Sequence, residues 1–495
     1  MERQALPSGQ TRPLSPCLLP DHVVSILTAL TTAQYQAYVV GGAVRDLLRG
    51  EEPQDYDIAT DAKPEDVIAI AGQQGWKVVD KLGRNFGVVL LVVKGHKAEV
   101  ATFRGERYGA DSHRPETVWY AATIEEDLSR RDFTVNAIAL TADGMVIDPY
   151  GGQRDLAARV IKTVDDANIR FAEDGLRMFR ACRLAAQLNF VVDEATLTAV
   201  AANVNRSAGL SLERVRAELD KMIVAPAAAA GLDAFISSGL AAGCCRICEA
   251  GVSKTIAILP ELGHLVAMPQ NPQFHAYDCW RHTLMTVHHS PPEAAVRWAA
   301  LFHDVAKGLA GIRGTGKAGQ ITDYGHDKLG TEMTAQALAR LHLPGTLRKR
   351  VVWLVANHMR FHFHAHENKD AKGLECWVRA EAQSGHFRNN NEMSAAFAEL
   401  IQLGTADALA SGKSDSVMPA VQAFGKRLQA AVRAMPVHTA DVAYEAEKLL
   451  VVLGEPSRMG PFLTNALRRI QDGQLANRPG IIVDAARRWA ARQDR

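Results

Sequence analysis

The sequence predicts a small α/β domain followed by an all-α remainder. Between Asp21 and Leu156, short β-rich runs recur at Tyr38–Val40, Asp55–Ala59, Val88–Val93, Ala98–Thr102 and Val146–Asp148. Helical patterns interleave with them at Pro64–Ala71 and Asp132–Ala139, the alternation of an α/β fold. After Leu156 the strand signals fade, and from Ile169 onward Ala-, Leu- and Arg-rich segments carry helical periodicity. The 495 residues exceed what one core organises, so several domains are expected. Residues 1–20, with Pro, Ser and Gly and no period, read as a loose tail. The head then spans 21–156 and a helical neck 157–272, ending where Pro, Gly and Asn gather at Pro260–Gln273. A third domain covers 273–412, up to a break near Ala410–Pro419, and a helical tail covers 413–495. No internal repeat is visible.

A formal charge of +1 gives no global signal for a polyanion, so any nucleic-acid contact must come from local basic surface. No run of about 18 apolar residues appears, and Met1–Pro20 lacks a signal-type apolar core, so neither a membrane span nor secretion is expected. Cys244, Cys245 and Cys248 cluster, but no second pair answers them at zinc-finger spacing. The seven cysteines therefore read as reduced and structural, consistent with a cytoplasmic protein.

The first chemical site begins at Gly41-Gly42, where a strand ends and a helix starts. Paired glycines allow close backbone approach, and a helix N-terminus offers free N–H groups to phosphate. Arg45 on the first turn supplies a fixed cation. Asp55 and Asp57 follow. In a strand, residues i and i+2 share a face, and two carboxylates there repel unless a cation lies between them. They suit Mg²⁺, which keeps coordination positions for phosphate oxygens. A lone Asp-x-Asp is more often a turn; about ten residues after a glycine cradle, the metal reading prevails. Glu99 reads either as a third carboxylate or as an edge residue. Two such ions, about 3.5–4 Å apart, would clamp an in-line nucleotidyl transfer.

The combination of Gly41-Gly42-Ala43-Val44-Arg45-Asp46, Asp55-Tyr56-Asp57, Arg130-Arg131-Asp132-Phe133-Thr134-Val135-Asn136 and Glu173-Asp174-Gly175-Leu176-Arg177 resembles a known family. It is that of class II tRNA nucleotidyltransferases and bacterial poly(A) polymerases, within the DNA polymerase β-like nucleotidyltransferase superfamily. The resemblance runs from about residue 24 to 240. It implies a mixed-sheet head with helices, with Asp55 and Asp57 as catalytic Mg²⁺ ligands. It also implies that Gly41, Gly42, Arg45, Arg131 and Asp132 lie at the incoming nucleotide.

Asp174, Arg177, Arg180 and Arg183 recur at steps of three, which on a helix makes a slowly winding stripe. Without the resemblance, ordinary i,i+3 ion pairs explain them best. By resemblance, Asp174 and Arg177 read the base, and Arg180 and Arg183 support the nucleotide. An acceptor–donor pair admits the amine-bearing edges of C and A and rejects U and G. The expected reaction is addition of CCA to tRNA 3′ ends from CTP and ATP. Poly(A) synthesis, or addition of CC or A alone, remains open. Two departures bear on this choice. Relatives often carry Pro where this chain has Gly175, and the stretch Ser112–Pro115 differs from their usual Arg-His-Pro.

The second chemical site is the series His282, His303-Asp304 and Asp407, with His326 and His358 between. Adjacent His and Asp on an apolar helix are costly to bury unpaired, and a metal satisfies both. The order resembles the HD phosphohydrolase domain. It implies Mn, Ni, Co, Fe or Mg bound by His282, His303, Asp304 and Asp407, with His326 and His358 available to a second ion. Phosphatase or 2′,3′-cyclic phosphodiesterase activity would follow. An HD hydrolase with an inactive head is the alternative from another class. Lys307 stands ready for a phosphate, and His362, His364 and His366 read as exposed residues of a polar run. Arg468, Arg469, Arg487, Arg488 and Arg492 read equally as a solvated helix face and as a surface for tRNA. No DNA or membrane partner is expected, and the oligomeric state is not legible.

Overall fold

The computed structural model describes residues 19–79, 87–108, 115–366 and 371–493. The chain divides into two compact units, Met1–Pro260 and Glu261–Arg495. The division falls inside the predicted Pro260–Gln273 break.

The first unit is built on β1 (Ala37–Val40), β2 (Asp57–Thr60), β3 (Lys77–Val78), β4 (Val88–Val93), β5 (His96–Thr102), β6 (Arg104–Tyr108), β7 (Pro115–Tyr120), β8 (Ala139–Leu140) and β9 (Val146–Ile147). Seven of these form one sheet in the order β3-β4-β5-β2-β1-β8-β9. It is mixed: β2 runs parallel to β5 and antiparallel to β1. The period of two sorts side chains onto its faces. Val39, Ile58, Val89, Leu91 and Val100 join a core with Val23, Ile26, Leu27, Val44 and Val67 from the helices Asp21–Thr32, Gly42–Arg49 and Pro64–Gln73. Val40 and Ala59 enter a smaller cluster with Phe103, Ile124, Leu128 and Ala137.

Three sequence expectations change here. Strand β2 begins at Asp57, so Asp55 lies in the approach to the strand and not within it. The Asp132–Ala139 pattern forms only a short 3-10 turn, Thr134–Asn136, and then enters β8. Its β-branched Thr134 and Val135 are poor helix formers, and Phe133 bridges Thr163. Strands also persist beyond Leu156: Cys244–Glu249 pairs with Val252–Ala257, and Arg313–Thr315 with Ile321–Asp323. The cysteine cluster therefore lies on a hairpin strand, with Cys245 buried and Cys248 exposed.

The neck packs helix Leu176–Leu188 against Leu212–Ile223 and Ala228–Ser237. A side chain at Gly231 would collide with the Cys182 carbonyl, so these helices cross at close range.

The second unit gathers helices Cys279–His289, Ala294–Phe302, His326–Arg340, Gly345–His366, Ala371–Gln383, Asn390–Ala410 and Ser414–Ala434. The predicted break at Ala410–Pro419 reduces to a turn at 411–413, because the next helix carries Pro419 in its second turn. Pro419 lies past the first turn, so its ring removes one i→i−4 hydrogen bond from that helix. A separate cluster of Leu449, Phe462, Ala466, Ile470 and Ile482 holds the last three helices together. Arg468, Arg487, Arg488 and Arg492 lie exposed on that bundle, Arg469 is half-buried, and Arg487 pairs with Asp484. Among the described residues, no helix is long and apolar enough to cross a membrane.

Candidate nucleotide site and HD centre

In the head, Gly41 adopts φ 75°, ψ −133°, a conformation essentially restricted to glycine. It caps the helix Gly42–Arg49, and a Cβ there would lie 3.0 Å from Arg131 Nη1. Gly41→Ala is expected to cost about 1–3 kcal/mol in backbone strain and to displace Arg131. Chemical denaturation checks the first effect and the KM for nucleotide the second.

Asp57 is the register partner of Glu99 across the parallel β2–β5 pair. Both stand on the face opposite the main helical core, since Ile58, Ala98 and Val100 point the other way. Desolvation by the surrounding protein raises the Asp57 carboxyl above its usual range; Arg131 opposes this and Asp55 adds to it. Glu99 is raised by desolvation, then by Asp57 and Asp55. Three carboxylates thus share one field, although Asp55 precedes the strand. The mutual repulsion and the all-oxygen donor set fit a divalent cation of Mg²⁺ type.

The surrounding cations are held in place. Arg45 donates to Asn136 Oδ1 at 2.7 Å and to Asp46 Oδ1 at 2.9 Å. Arg131 and Arg130 donate to Asp127 at 3.1 and 2.7 Å. Burial would raise Asp127, but Arg131 and Arg130 prevail and hold it below the usual range. Asp132 accepts from Phe133 N and from Arg180, which also approaches Glu218. Arg183 donates to Glu218 and Gln187.

The predicted stripe is not a single helix face. Asp174 is extended and lies outside the helix that begins at Leu176. Its Oδ1 accepts from Leu176 N, and its Oδ2 accepts from Arg214 at 3.0 Å. Arg177 is buried, donating to Glu173 at 2.5 Å and to the Arg130 carbonyl at 2.9 Å. Gly175 has φ −57°, ψ −20°, and Asp174 before it is extended. That is the backbone a proline imposes, so the Gly for Pro departure leaves this geometry intact. The other departure falls at 112–114, outside the described residues. Sequence reasoning passed over Asp127 and Arg214. The first was signalled by its i+3 and i+4 spacing to Arg130 and Arg131; the second, forty residues from Asp174, by nothing local.

In the second unit, His282, His303 and Asp304 form one group able to hold a metal, and Asp304, His326 and His358 form another. Asp304 serves both: Oδ2 lies 3.2 Å from His303 Nε2, and Oδ1 lies 3.3 Å from His326 Nε2. Asp407 Oδ1 approaches His282 Nε2 at 3.0 Å. All four histidines are tied through Nδ1 to a backbone carbonyl: Ala410, Ala300, Asp323 and Val355 respectively. A neutral imidazole that donates through Nδ1 leaves Nε2 as a lone pair. Those Nε2 atoms meet in pairs, 3.2 Å apart for His282–His303 and 3.3 Å for His326–His358. Two facing lone pairs repel, and cations between them fit the donor set of imidazoles and carboxylates.

Burial alone would lower His303, but Asp304 and Asp407 carry it to about 9, so without a cation a proton occupies its Nε2, the position a metal would take. Burial, His326 and His303 push His358 down to about 3. Burial would raise Asp304 and Asp407; His303 and Lys307 hold the first well below its ordinary value, and His362 and His303 the second. Lys307 is buried, 2.7 Å from Asp304 and bonded to Gln270.

His362 and His364 correct the sequence reading. All three histidines lie on the helix Gly345–His366, and only His366 is exposed. His362 contacts Asp407 Oδ2 at 2.8 Å, and His364 stacks on Trp377. The signal missed was helical: His362 lies four residues after His358, one turn along the same face. His275 was also missed. Its ring centroid is 4.6 Å from that of His282, and burial, then Lys307 and His282, lower it to about 3.

The family described as "Poly A polymerase head domain" matches residues 37–162. "Probable RNA and SrmB- binding site of polymerase A" matches 189–244, and "HD domain" matches 279–409. A CCA-adding enzyme of Geobacillus thermodenitrificans is 44% identical over 220 residues, covering 44% of this chain and 53% of the relative. One from Limosilactobacillus reuteri is 40% identical over 240 residues, covering 48% and 58%. The chain thus spans about half the length of the curated relatives it matches. Among solved structures, the CCA-adding enzyme of Bacillus stearothermophilus in complex with CTP aligns at TM-score 0.60 and 26% identity, over 96% of this chain and 98% of the other. The Thermotoga maritima CCA-adding enzyme complexed with tRNA aligns at TM-score 0.54, over 94% and 93%; at 16% identity this likeness is one of fold. The head and the segment after it thus match models of the poly(A) polymerase family and the second half matches an HD domain, in the order that the resemblance to class II tRNA nucleotidyltransferases and poly(A) polymerases implies.

Proposed function

We propose that this protein adds C, C and A to tRNA 3′ ends from CTP and ATP without a template. The observation that carries the reading is the Asp57–Glu99 register pair, coupled to Asp55, on a sheet whose neighbouring strand ends in the Gly41 turn. The similarity to CCA-adding enzymes, one of them bound to CTP, supports this substrate choice over poly(A) synthesis or partial addition. Asp55, Asp57 and Glu99 would hold Mg²⁺, which when bound stabilises charge on the triphosphate and acidifies the attacking 3′-hydroxyl. The chain's own residues bind and orient. The helix N-terminus at Gly42 and the guanidinium groups of Arg45 and Arg131 receive phosphate oxygens. Asp132 anchors Arg180 beside them. Asp174 and Arg177 would read the base edge by exchanging Arg214 and Glu173, their present partners, for the base, with Arg180 and Arg183 behind them. The tail from 413 onward, with its exposed arginines, would hold the tRNA.

The test offers tRNA transcripts lacking CCA, transcripts lacking only A, and an unrelated RNA, each with CTP, ATP or both. Addition that stops after CCA is expected. Long A tracts on any RNA would establish the poly(A) polymerase reading instead, and no addition at all would leave an HD hydrolase with an inactive head.

A second reading concerns the HD centre and rests on the four histidines whose Nε2 atoms converge on Asp304 and Asp407. His282, His303, Asp304 and Asp407 would hold one Mn, Ni, Co, Fe or Mg ion, and His326 and His358, sharing Asp304, a second. Such a centre suits hydrolysis of phosphomonoesters or 2′,3′-cyclic phosphates at RNA ends. Metal-loaded protein that leaves both classes untouched would exclude it.

A further inference from the structure

His275 lies four residues before the segment matched as an HD domain. It is half-buried at the edge of the centre, with its ring nearly perpendicular to that of His282. Asp304, Asp407 and Lys307 all act on it electrostatically, so it faces the same charges as the converging histidines. It differs from them in two ways. His282, His303, His326 and His358 each have Nδ1 anchored to a backbone carbonyl, whereas His275 Nδ1 is buried without a hydrogen-bond partner among the described residues. Nor does it fall within either group of converging ligand atoms. An imidazole nitrogen beside a metal centre, neither anchored nor ligating, is placed to bond a group that the centre receives. The donors already present, Lys307 Nζ and the four Nδ1 atoms, are engaged by Asp304, Gln270 and backbone carbonyls.

We propose that His275 is a substrate-binding residue of the HD centre, bonding a phosphoryl oxygen of a phosphoester held there. This rests on the hydrolytic reading of that centre, but binding can be tested apart from turnover. The full chain, loaded with Mn²⁺, is titrated with inorganic phosphate as wild type, His275→Ala and His275→Asn, with Asp304→Asn giving the background from other phosphate-binding surfaces. Loss of one hydrogen bond to a charged oxygen should weaken phosphate binding by about tenfold or more in His275→Ala. His275→Asn, which places an amide near the position of Nδ1, should recover part of it. Bound metal, by elemental analysis, should stay at the wild-type level in both. With p-nitrophenyl phosphate and 2′,3′-cyclic AMP as separate arms, KM should rise more than kcat falls, and the arm that responds identifies the ester class. Three results would each overturn the proposal: phosphate affinity unchanged in His275→Ala, metal lost from that variant, or no phosphate bound by the wild type above background. Wild type that binds phosphate but hydrolyses neither ester sinks the hydrolytic reading alone, and the affinities still decide the role of His275.

Discussion

Asp57→Ala is expected to lower nucleotide addition by at least about 10³-fold, since a lost metal ligand removes several kcal/mol of transition-state charge stabilisation. The carboxyl is solvent-accessible and carries no structural hydrogen bond among those described, so the thermal midpoint should move little. Single-turnover incorporation of labelled CMP into a tRNA lacking CCA measures the first effect, and calorimetry the second. The expected pH dependence follows from the direction of the shifts. Asp57 and Glu99 both lie above the usual carboxylate range: desolvation raises each first, Arg131 opposes and Asp55 adds at Asp57, and Asp57 and Asp55 add at Glu99. Protons therefore compete with the cation, and the Mg²⁺ concentration for half-maximal rate should rise as pH falls. Glu99→Gln removes a proposed ligand carboxylate, so the Mg²⁺ concentration for half-maximal rate should rise further. Full activity in Asp57→Ala would end the polymerising reading of this chain.

The second large effect is expected at Asp304. Its two oxygens face different histidine pairs, so Asp304→Asn should empty both halves of the HD centre at once. Hydrolysis should fall by at least about 10³-fold, while CCA addition stays within about threefold of wild type. Buried Lys307 loses its ion partner in that variant, and breaking a buried pair can cost about 3–5 kcal/mol. His326→Gln is therefore the companion variant. It touches only one ligand group, and it should remove one equivalent of metal while leaving the His282–His303 end loaded. Equal metal content in wild type and His326→Gln would limit the centre to a single ion.

Much of this was legible in the chain. The Gly41-Gly42 turn, Asp55 and Asp57, and His303-Asp304 are short-range patterns, in which neighbours in sequence are neighbours in space. The helix over Pro64–Gln73 and strands β4 and β5 followed from the same local periodicity. Periodicity misled where it was short: Asp132–Ala139 looked helical, but Phe133 and Thr134 are recruited by residues 155–163. The alternating histidines at 362–366 looked like a solvated run, because the pairing of His362 with Asp407 spans 45 residues.

Residue types and close spacing, set by the chain alone, pointed to the two proposed chemistries and to where each begins. Tertiary structure decided which distant partners complete them: Glu99 opposite Asp57 by sheet register, Arg214 on Asp174 by helix packing, and His275 and His362 at the rim of the HD centre. The reason is one of range. A backbone repeat constrains side chains a few residues apart, while contacts across tens of residues exist only once the core has chosen which faces meet.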